Sequence, residues 1–229
     1  MTPADDDRSV LCVDRLTKRF GSLLVLDDVS LTLRYGRVVS VLGPSGCGKS
    51  TILHICAGLL LPDYGEIRLS GARITGKTGY VGYLQQKDLL LPWRRIVDNV
   101  ALPLELRGWS RRHAREEASS YFERFGIAGF ERHFPAQLSG GMRQRAALLR
   151  TYLFSREIML LDEPFGALDT ITRSRMHKWL LSLLGEIRTS VMLVTHDVDE
   201  ALLLSDEIVV LSPRPARVID IVPVALPRP

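Results

Sequence analysis

The chain has 229 residues, 46% of them hydrophobic and 24% charged, with 30 Lys and Arg against 26 Asp and Glu for a net charge of +4. That length and balance supply one substantial core and exclude a disordered chain, a collagen-like fibre and a disulfide-stapled mini-protein. A bilayer span is excluded too, because the longest stretch free of Asp, Glu, Lys and Arg, residues 50–62, has 13 residues where ~20 are needed.

The first ten residues carry Asp5, Asp6 and Asp7, where a secretory leader would place a basic and then an apolar segment. Three cysteines, Cys12, Cys47 and Cys56, have neither metal-ligand spacing nor an even count. Both features predict a protein that stays in the cytoplasm. No repeat, low-complexity tract or Pro/Gly-rich linker divides the sequence, so one domain spanning 1–229 is expected.

In chain order, Val29, Leu31 and Leu33 alternate with Ser30 and Thr32, the pattern of a strand with one wet face, which predicts a small antiparallel sheet. Five short, mostly uncharged runs rich in β-branched residues follow at 38–42, 80–84, 158–161, 191–194 and 208–211. Such runs are strands covered on both faces, and they predict a largely parallel central sheet. Helices are predicted at 51–60, 142–156 and 172–187, giving a layered α/β fold. From 87 to 155 the runs are helical, including 111–125, where Ala114, Ala118, Tyr121, Phe122 and Phe125 share one face. This stretch reads as a helical insertion in the α/β core.

Three motifs carry chemistry. Gly43-Pro44-Ser45-Gly46-Cys47-Gly48-Lys49-Ser50 lies between a predicted strand and a predicted helix, the context that a phosphate-binding loop needs. Its glycines let the main chain approach an anion, successive N–H groups form a nest, and the helix directs its positive end at the phosphates. Lys49 is expected to reach β- and γ-phosphates and Ser50 to ligate Mg²⁺. The apolar run 158–161 ends in Asp162-Glu163, two carboxylates at the carboxyl end of a buried strand, where ligands of open α/β sheets bind. Asp162 is read as the magnesium ligand and Glu163 as the group that polarises an attacking water. Leu138-Ser139-Gly140-Gly141-Met142-Arg143-Gln144-Arg145 opens a helix, so Ser139 and the glycine amides make a second anion site. Spacing alone leaves open whether Ser139 meets the phosphate held by its own loop.

These motifs in this order resemble the ATP-binding cassette (ABC) ATPases, and the resemblance covers nearly the whole chain. It implies a P-loop NTPase core with a mainly parallel sheet, a flanking antiparallel β-subdomain and an inserted helical subdomain, with ATP and Mg²⁺ as cofactors. The loop Gly43, Pro44, Ser45, Gly46, Cys47, Gly48, Lys49, Ser50 and Thr51 would then hold the triphosphate. Phe20, 23 residues before the first loop glycine, sits where the family stacks an aromatic on adenine, although it would serve equally as core. Gln86, chosen over Gln85 from its spacing to Pro92-Trp93, resembles the glutamine that senses magnesium and the attacking water. Gly166-Ala167-Leu168-Asp169 is similar to the loop that communicates across a dimer, and Thr195-His196-Asp197 to the switch whose histidine contacts the γ-phosphate. The resemblance further implies two copies packed head to tail, each closing Ser139, Gly140 and Gly141 over the partner's nucleotide.

Leu89-Leu90-Leu91-Pro92-Trp93, Val97-Asp98-Asn99-Val100 and Met142 are similar to the ATPase subunits of nitrate/sulfonate/taurine-type importers. That implies membrane permease subunits and an extracytoplasmic solute-binding protein as partners, a small anionic cargo, and a place on the cytoplasmic face of the inner membrane. Leu90 and Trp93 either wall a groove for a permease helix or fill the helical core. The alternatives are a soluble cassette ATPase of translation or DNA repair, or an exporter ATPase. Ser139 follows Gly48 by only 91 positions, too few for the long arms of the soluble class. Arg107, Arg111, Arg112 and Arg115, followed by Glu116 and Glu117, read as a solvated helix face, so no nucleic acid is expected. Cys47, within the loop beside a helix start, is either a reactive thiol whose alkylation blocks nucleotide binding or an inert, buried one. The chain runs only three residues past 219–226, so control through a tail domain is not expected.

Overall fold

The computed structural model describes residues 8–226; the acidic start at Asp5, Asp6 and Asp7 lies outside them. Strands β1 (Ser9–Phe20) and β2 (Leu23–Arg34) form a long hairpin and join β4 (Tyr64–Leu69) and β5 (Ala72–Arg73) in an antiparallel sheet of order β2-β1-β4-β5. On β2, Val29, Leu31 and Leu33 point inward while Ser30 stays exposed, as the alternation requires.

The second sheet contains β3 (Val38–Leu42), β6 (Gly82–Leu84), β7 (Ile158–Asp162), β8 (Ser190–Thr195), β9 (Glu207–Leu211) and β10 (Val218–Pro223), in the order β10-β9-β3-β8-β7-β6. All neighbours are parallel except β10 on β9. Its strands feed two cores by turns. Val39, Val41, Ile158, Leu160, Met192 and Val194 face the antiparallel sheet and helix α1 (Lys49–Cys56). Val38, Met159, Leu161, Val191 and Leu193 face helices α2 (Ile96–Leu106), α4 (Gly140–Phe154) and α5 (Thr170–Ile187). Period-two alternation with both faces covered is why these runs contain no charge. Two more α-helices, α3 (Arg111–Ser120) and α6 (Val198–Leu204), and a 3-10 turn at Pro135–Gln137 complete the helices of the described residues.

The boundaries differ from the predicted ones for local reasons. Helix α1 starts at Lys49 and stops at Cys56, short of Leu60, because Gly58 turns left-handed at φ 74° beside the Lys77 carbonyl, where a Cβ would come within 2.1 Å. Only Gly82–Leu84 of the run 80–84 pairs in the sheet. Helix α4 begins two residues before Met142, since Ser139 caps it by accepting from the Met142 N–H at 3.3 Å. Helix α3 ends at Ser120, yet Phe122 and Phe125 beyond it are still buried in the predicted core.

The stretch from 89 to 99 divides the expectation for Leu90 and Trp93. Buried Asn99 accepts from the Leu91 N–H at 2.7 Å and donates to the carbonyls of Leu91 and Arg94, both at 3.1 Å. This clamp turns Leu90 into the core and leaves Trp93 73% exposed. The arginine cluster is solvated as expected, with Arg111 and Arg112 exposed, and the neighbouring Asp98 adds a tether to it. Its buried carboxylate receives Arg115 through Nε at 2.7 Å and Nη2 at 2.9 Å, and Arg111 at 3.3 Å, so two of the four arginines tie α3 to α2. Arg112 pairs with Glu116 one turn on, and Arg107 donates to the Phe154 carbonyl.

Candidate functional site

Between β3 and α1 the chain curls into a loop that only glycine permits at its close. Gly48 has φ 129°, and a Cβ there would lie 2.8 Å from Leu26 and 3.0 Å from Val25. Lys49, buried at the first position of α1, donates from Nζ to the carbonyls of Gly43 at 2.8 Å and Pro44 at 3.0 Å, which holds its charge within the curl. Of the two readings of Cys47, the structure agrees with the buried one: it is 2% exposed and packs into the core beneath the loop.

Strand β7 delivers the two carboxylates beside this loop. Ser50 Oγ donates to Asp162 Oδ1 at 3.1 Å, and the Tyr83 hydroxyl donates to Oδ2 at 3.3 Å. Burial holds the Asp162 carboxyl above the usual range, against the Ser50 and Tyr83 hydrogen bonds that favour its charged form. Burial, reinforced by the charge of Asp162, likewise pushes the Tyr83 phenol up, so it remains a donor. Glu163 leaves the strand direction with φ 45°, a left-handed backbone costing on the order of 1 kcal/mol, and its N–H is held by the Val194 carbonyl at 2.9 Å. The side chain so turned meets Gln86 Nε2 at 3.2 Å through Oε2 and His196 Nδ1 at 3.1 Å through Oε1. It is Gln86, and not Gln85, that makes this bond.

His196 stands at the end of β8, where Thr195 anchors the turn. The Thr195 hydroxyl donates to buried Glu200 at 2.5 Å and accepts from the Asp197 N–H at 3.0 Å, while Glu200 Oε1 lies 3.4 Å from His177 Nε2 on α5. Asp197 caps α6 by accepting from the Glu200 N–H at 3.1 Å.

The loop, Gln86 and Glu163 open on one pocket of about 570 Å³, within the range of small-molecule sites, which Asp162 and His196 adjoin through Ser50 and Glu163. Phe20, Ser45, Gly46, Gly48, Lys49, Ser50, Thr51, Gln86 and Glu163 line it. Phe20 is 48% exposed on the pocket wall, with the Lys18 ammonium 5.5 Å from its ring centroid, so it is not core. Ser139, Gly140, Gly141 and Asp169 do not line this pocket. They gather elsewhere: a Cβ on Gly140 would touch Leu168, one on Gly141 would touch Thr172, and Asp169 caps α5 by accepting from the Thr172 N–H at 3.0 Å. Those hydrogen bonds from Thr172 hold the Asp169 carboxyl below its usual range.

The oxygens of Ser50 and Asp162, with the Gln86 amide on the same pocket, suit a hard cation. Among the described residues no three His, Cys, Asp or Glu side chains gather as a metal cage. Magnesium bound together with phosphates needs only one or two carboxylates, so the donor set fits that ion. Two further residues, Tyr83 bonded to Asp162 and Arg214 on the pocket wall, escaped the sequence reading. Tyr83 could have been found from its place near the end of β6, three residues before Gln86. Arg214, which donates to the Gly46 carbonyl, is 168 residues away and gave no local signal.

Comparison with known proteins agrees with this geometry. A family model described as "ABC transporter" matches residues 26–166. The chain is 43% identical over 211 residues to the taurine import ATP-binding protein TauB of Yersinia pestis bv. Antiqua (strain Antiqua), covering 92% of this chain and 83% of the relative. It is 44% identical over 191 residues to the formylaminopyrimidine import ATP-binding protein ThiZ of Halalkalibacterium halodurans, covering 83% and 74% respectively. Among solved structures, it resembles the dimeric post-hydrolysis state of the ATP-binding cassette MJ0796 bound to ADP and Pi, with TM-score 0.79 and 29% identity over 94% of this chain and 99% of that one.

Proposed function

This chain belongs to the ABC transporter family and is an ATPase, and from that premise we propose that it is the nucleotide-binding subunit energising an importer through a separate membrane permease. The observation that carries the proposal is one pocket lined by the loop lysine, Ser50, Gln86 and Glu163, with Asp162 bonded to Ser50 and His196 to Glu163 just behind its wall. In this reading the loop amides and Lys49 hold the triphosphate, Phe20 stacks on adenine, and Ser50, Asp162 and Gln86 hold Mg²⁺, which when bound neutralises phosphate charge. Glu163 takes the proton of the attacking water, oriented by Gln86 and His196.

The pocket contains no group from Ser139, Gly140, Gly141 or Asp169, and its relative MJ0796 is dimeric. Both support a head-to-tail pair in which the second copy's Ser139 and glycine amides complete the γ-phosphate shell. Residues 87–155 act as the helical subdomain within a single cassette spanning 1–229. Closure around ATP and reopening after hydrolysis drive the permease.

An apolar groove of about 300 Å³ lined by Leu59, Tyr83, Leu102, Pro103, Leu106 and Phe154 receives a helix of that permease; Trp93 is not among its lining residues. Leu59 and Leu106 stand 57% and 76% exposed there. Among the described residues no helix is long and apolar enough to cross a membrane, consistent with a peripheral place on the cytoplasmic face. The cargo is a small anionic solute of the nitrate, sulfonate or taurine type, delivered by an extracytoplasmic binding protein, a reading that the taurine-importing relative supports.

Equilibrium dialysis with labelled ATP and magnesium tests the pocket, and co-purification from membranes tests the partner. Wild type is expected to bind ATP and recover an integral membrane protein, with Lys49→Ala losing the first and Leu106→Asp the second. Absence of ATP uptake, or recovery only with ribosomes or DNA, overturns the reading.

A further inference from the structure

Arg214 lines the phosphate-loop pocket, and none of the motifs accounts for it. It sits in the turn between β9 and β10, which is fastened to β2 rather than to the hydrolytic side of the site. The Asp27 N–H donates to the Ala216 carbonyl at 3.0 Å, the Ala216 N–H donates to the Val25 carbonyl at 2.9 Å, and Arg217 Nε donates to Asp27 at 2.9 Å. Strand β2 carries Leu23 and Val25 into the same pocket, so the turn is held on the wall that β2 builds. From there Arg214 Nε donates to the Gly46 carbonyl at 3.0 Å, joined by Nη2.

The charge of this side chain is not neutralised. Among the described residues no carboxylate pairs with Arg214, whereas Arg217 three residues on is paired with Asp27. A guanidinium has five N–H donors, and the Gly46 carbonyl takes two, leaving three and a full positive charge at the mouth of a pocket whose loop is built for a polyanion.

Resting on the reading of that pocket as an ATP site, we propose that Arg214 is a further nucleotide-binding residue that contacts a phosphate common to ATP and ADP, its side chain oriented by the Gly46 carbonyl. Its approach along β2, with no contact to Gln86, Glu163 or His196, places it on the base side of the phosphate chain and apart from the attacking water. It governs how tightly nucleotide is held rather than how fast it is cleaved.

The test is equilibrium binding of Mg-ATP and Mg-ADP to wild type, Arg214→Gln and Arg214→Lys, with steady-state kinetics and melting of the nucleotide-free proteins alongside. Arg214→Gln is expected to weaken ATP and ADP alike by about tenfold, the loss of one charge-assisted phosphate contact. KM should rise with Kd while kcat moves far less, Arg214→Lys should recover most of the affinity, and the nucleotide-free melting temperature should hold. Unchanged affinity in Arg214→Gln overturns the proposal, as does a loss confined to ATP, which would put the contact at the γ-phosphate. A lowered melting temperature with no rescue by lysine also overturns it, leaving only a brace. Wild type that binds no ATP would sink the reading of the pocket itself, so the two failures are distinct.

Discussion

Glu163→Gln separates holding the nucleotide from cleaving it. The substitution keeps the shape of a side chain whose oxygens meet Gln86 Nε2 at 3.2 Å and His196 Nδ1 at 3.1 Å. A glutamine amide still offers one acceptor and gains donors, and both neighbours can adapt, Gln86 by turning its amide and His196 by accepting at Nδ1. Ser50, Asp162 and Lys49 are untouched, so ATP affinity should stay within about threefold of wild type. What disappears is the proton acceptor for water. Positioned general bases contribute about 10²–10⁴ in rate, which at about 1.36 kcal/mol per decade raises the barrier by roughly 2.7–5.4 kcal/mol. Phosphate release at saturating Mg-ATP measures the rate, dialysis measures affinity, and light scattering detects a persistent nucleotide-bound dimer. Release within tenfold of wild type would place the base elsewhere. A parallel collapse of affinity would show that Glu163 serves binding instead.

Asp98→Ala removes a carboxylate 5% exposed that receives Arg115 and Arg111, themselves 41% and 67% exposed. A buried pair broken on one side costs roughly 3–5 kcal/mol, and solvent access at the two arginines lowers the expected loss to about 2 kcal/mol in urea unfolding. A change below about 0.5 kcal/mol would mean that the α2–α3 contact is carried by Ala114, Ala118 and Phe122 alone. The thiols should divide by burial: Cys12 reacts with maleimide in the folded protein, Cys47 and Cys56 only after unfolding, with burial pushing the Cys56 thiol up to about 12. Mass spectrometry showing Cys47 labelled as fast as Cys12 would contradict the packing of the phosphate loop.

The alternation on β2 and the uncharged runs at 38–42, 158–161 and 191–194 sufficed for the two-sheet fold, because burial on one or both faces writes itself into the sequence at period two. Helix ends were less readable, since they depend on contacts such as Gly58 against Lys77. The phosphate loop and Asp162-Glu163 could be read because their chemistry is local, one continuous curl and one strand end. Arg214 could not, because its meeting with Gly46 depends on how β9, β10 and β2 come together. Glu200 was hidden likewise. Its partners Thr195 and His177 lie on a strand and a helix, and the sequence does not say that they face each other. Asp98 and Asn99 were noticed as part of a family-like string, yet their work as clamps on α3 and on the turn at 89–95 emerged only from the packing.

The strands that end in the phosphate loop and in Asp162 are not neighbours; β8, made later, lies between β3 and β7. A ribosome must therefore deliver residue 195 before Ser50 and Asp162 acquire their spacing, and β3 and β7 wait until then with unpaired edges. Adenosine triphosphate, which stabilises only chains able to bind it, is no help to a half-made polypeptide. Assembly of the nucleotide site in this subunit therefore waits on its eighth strand, and stabilisation by its own ligand cannot begin before that.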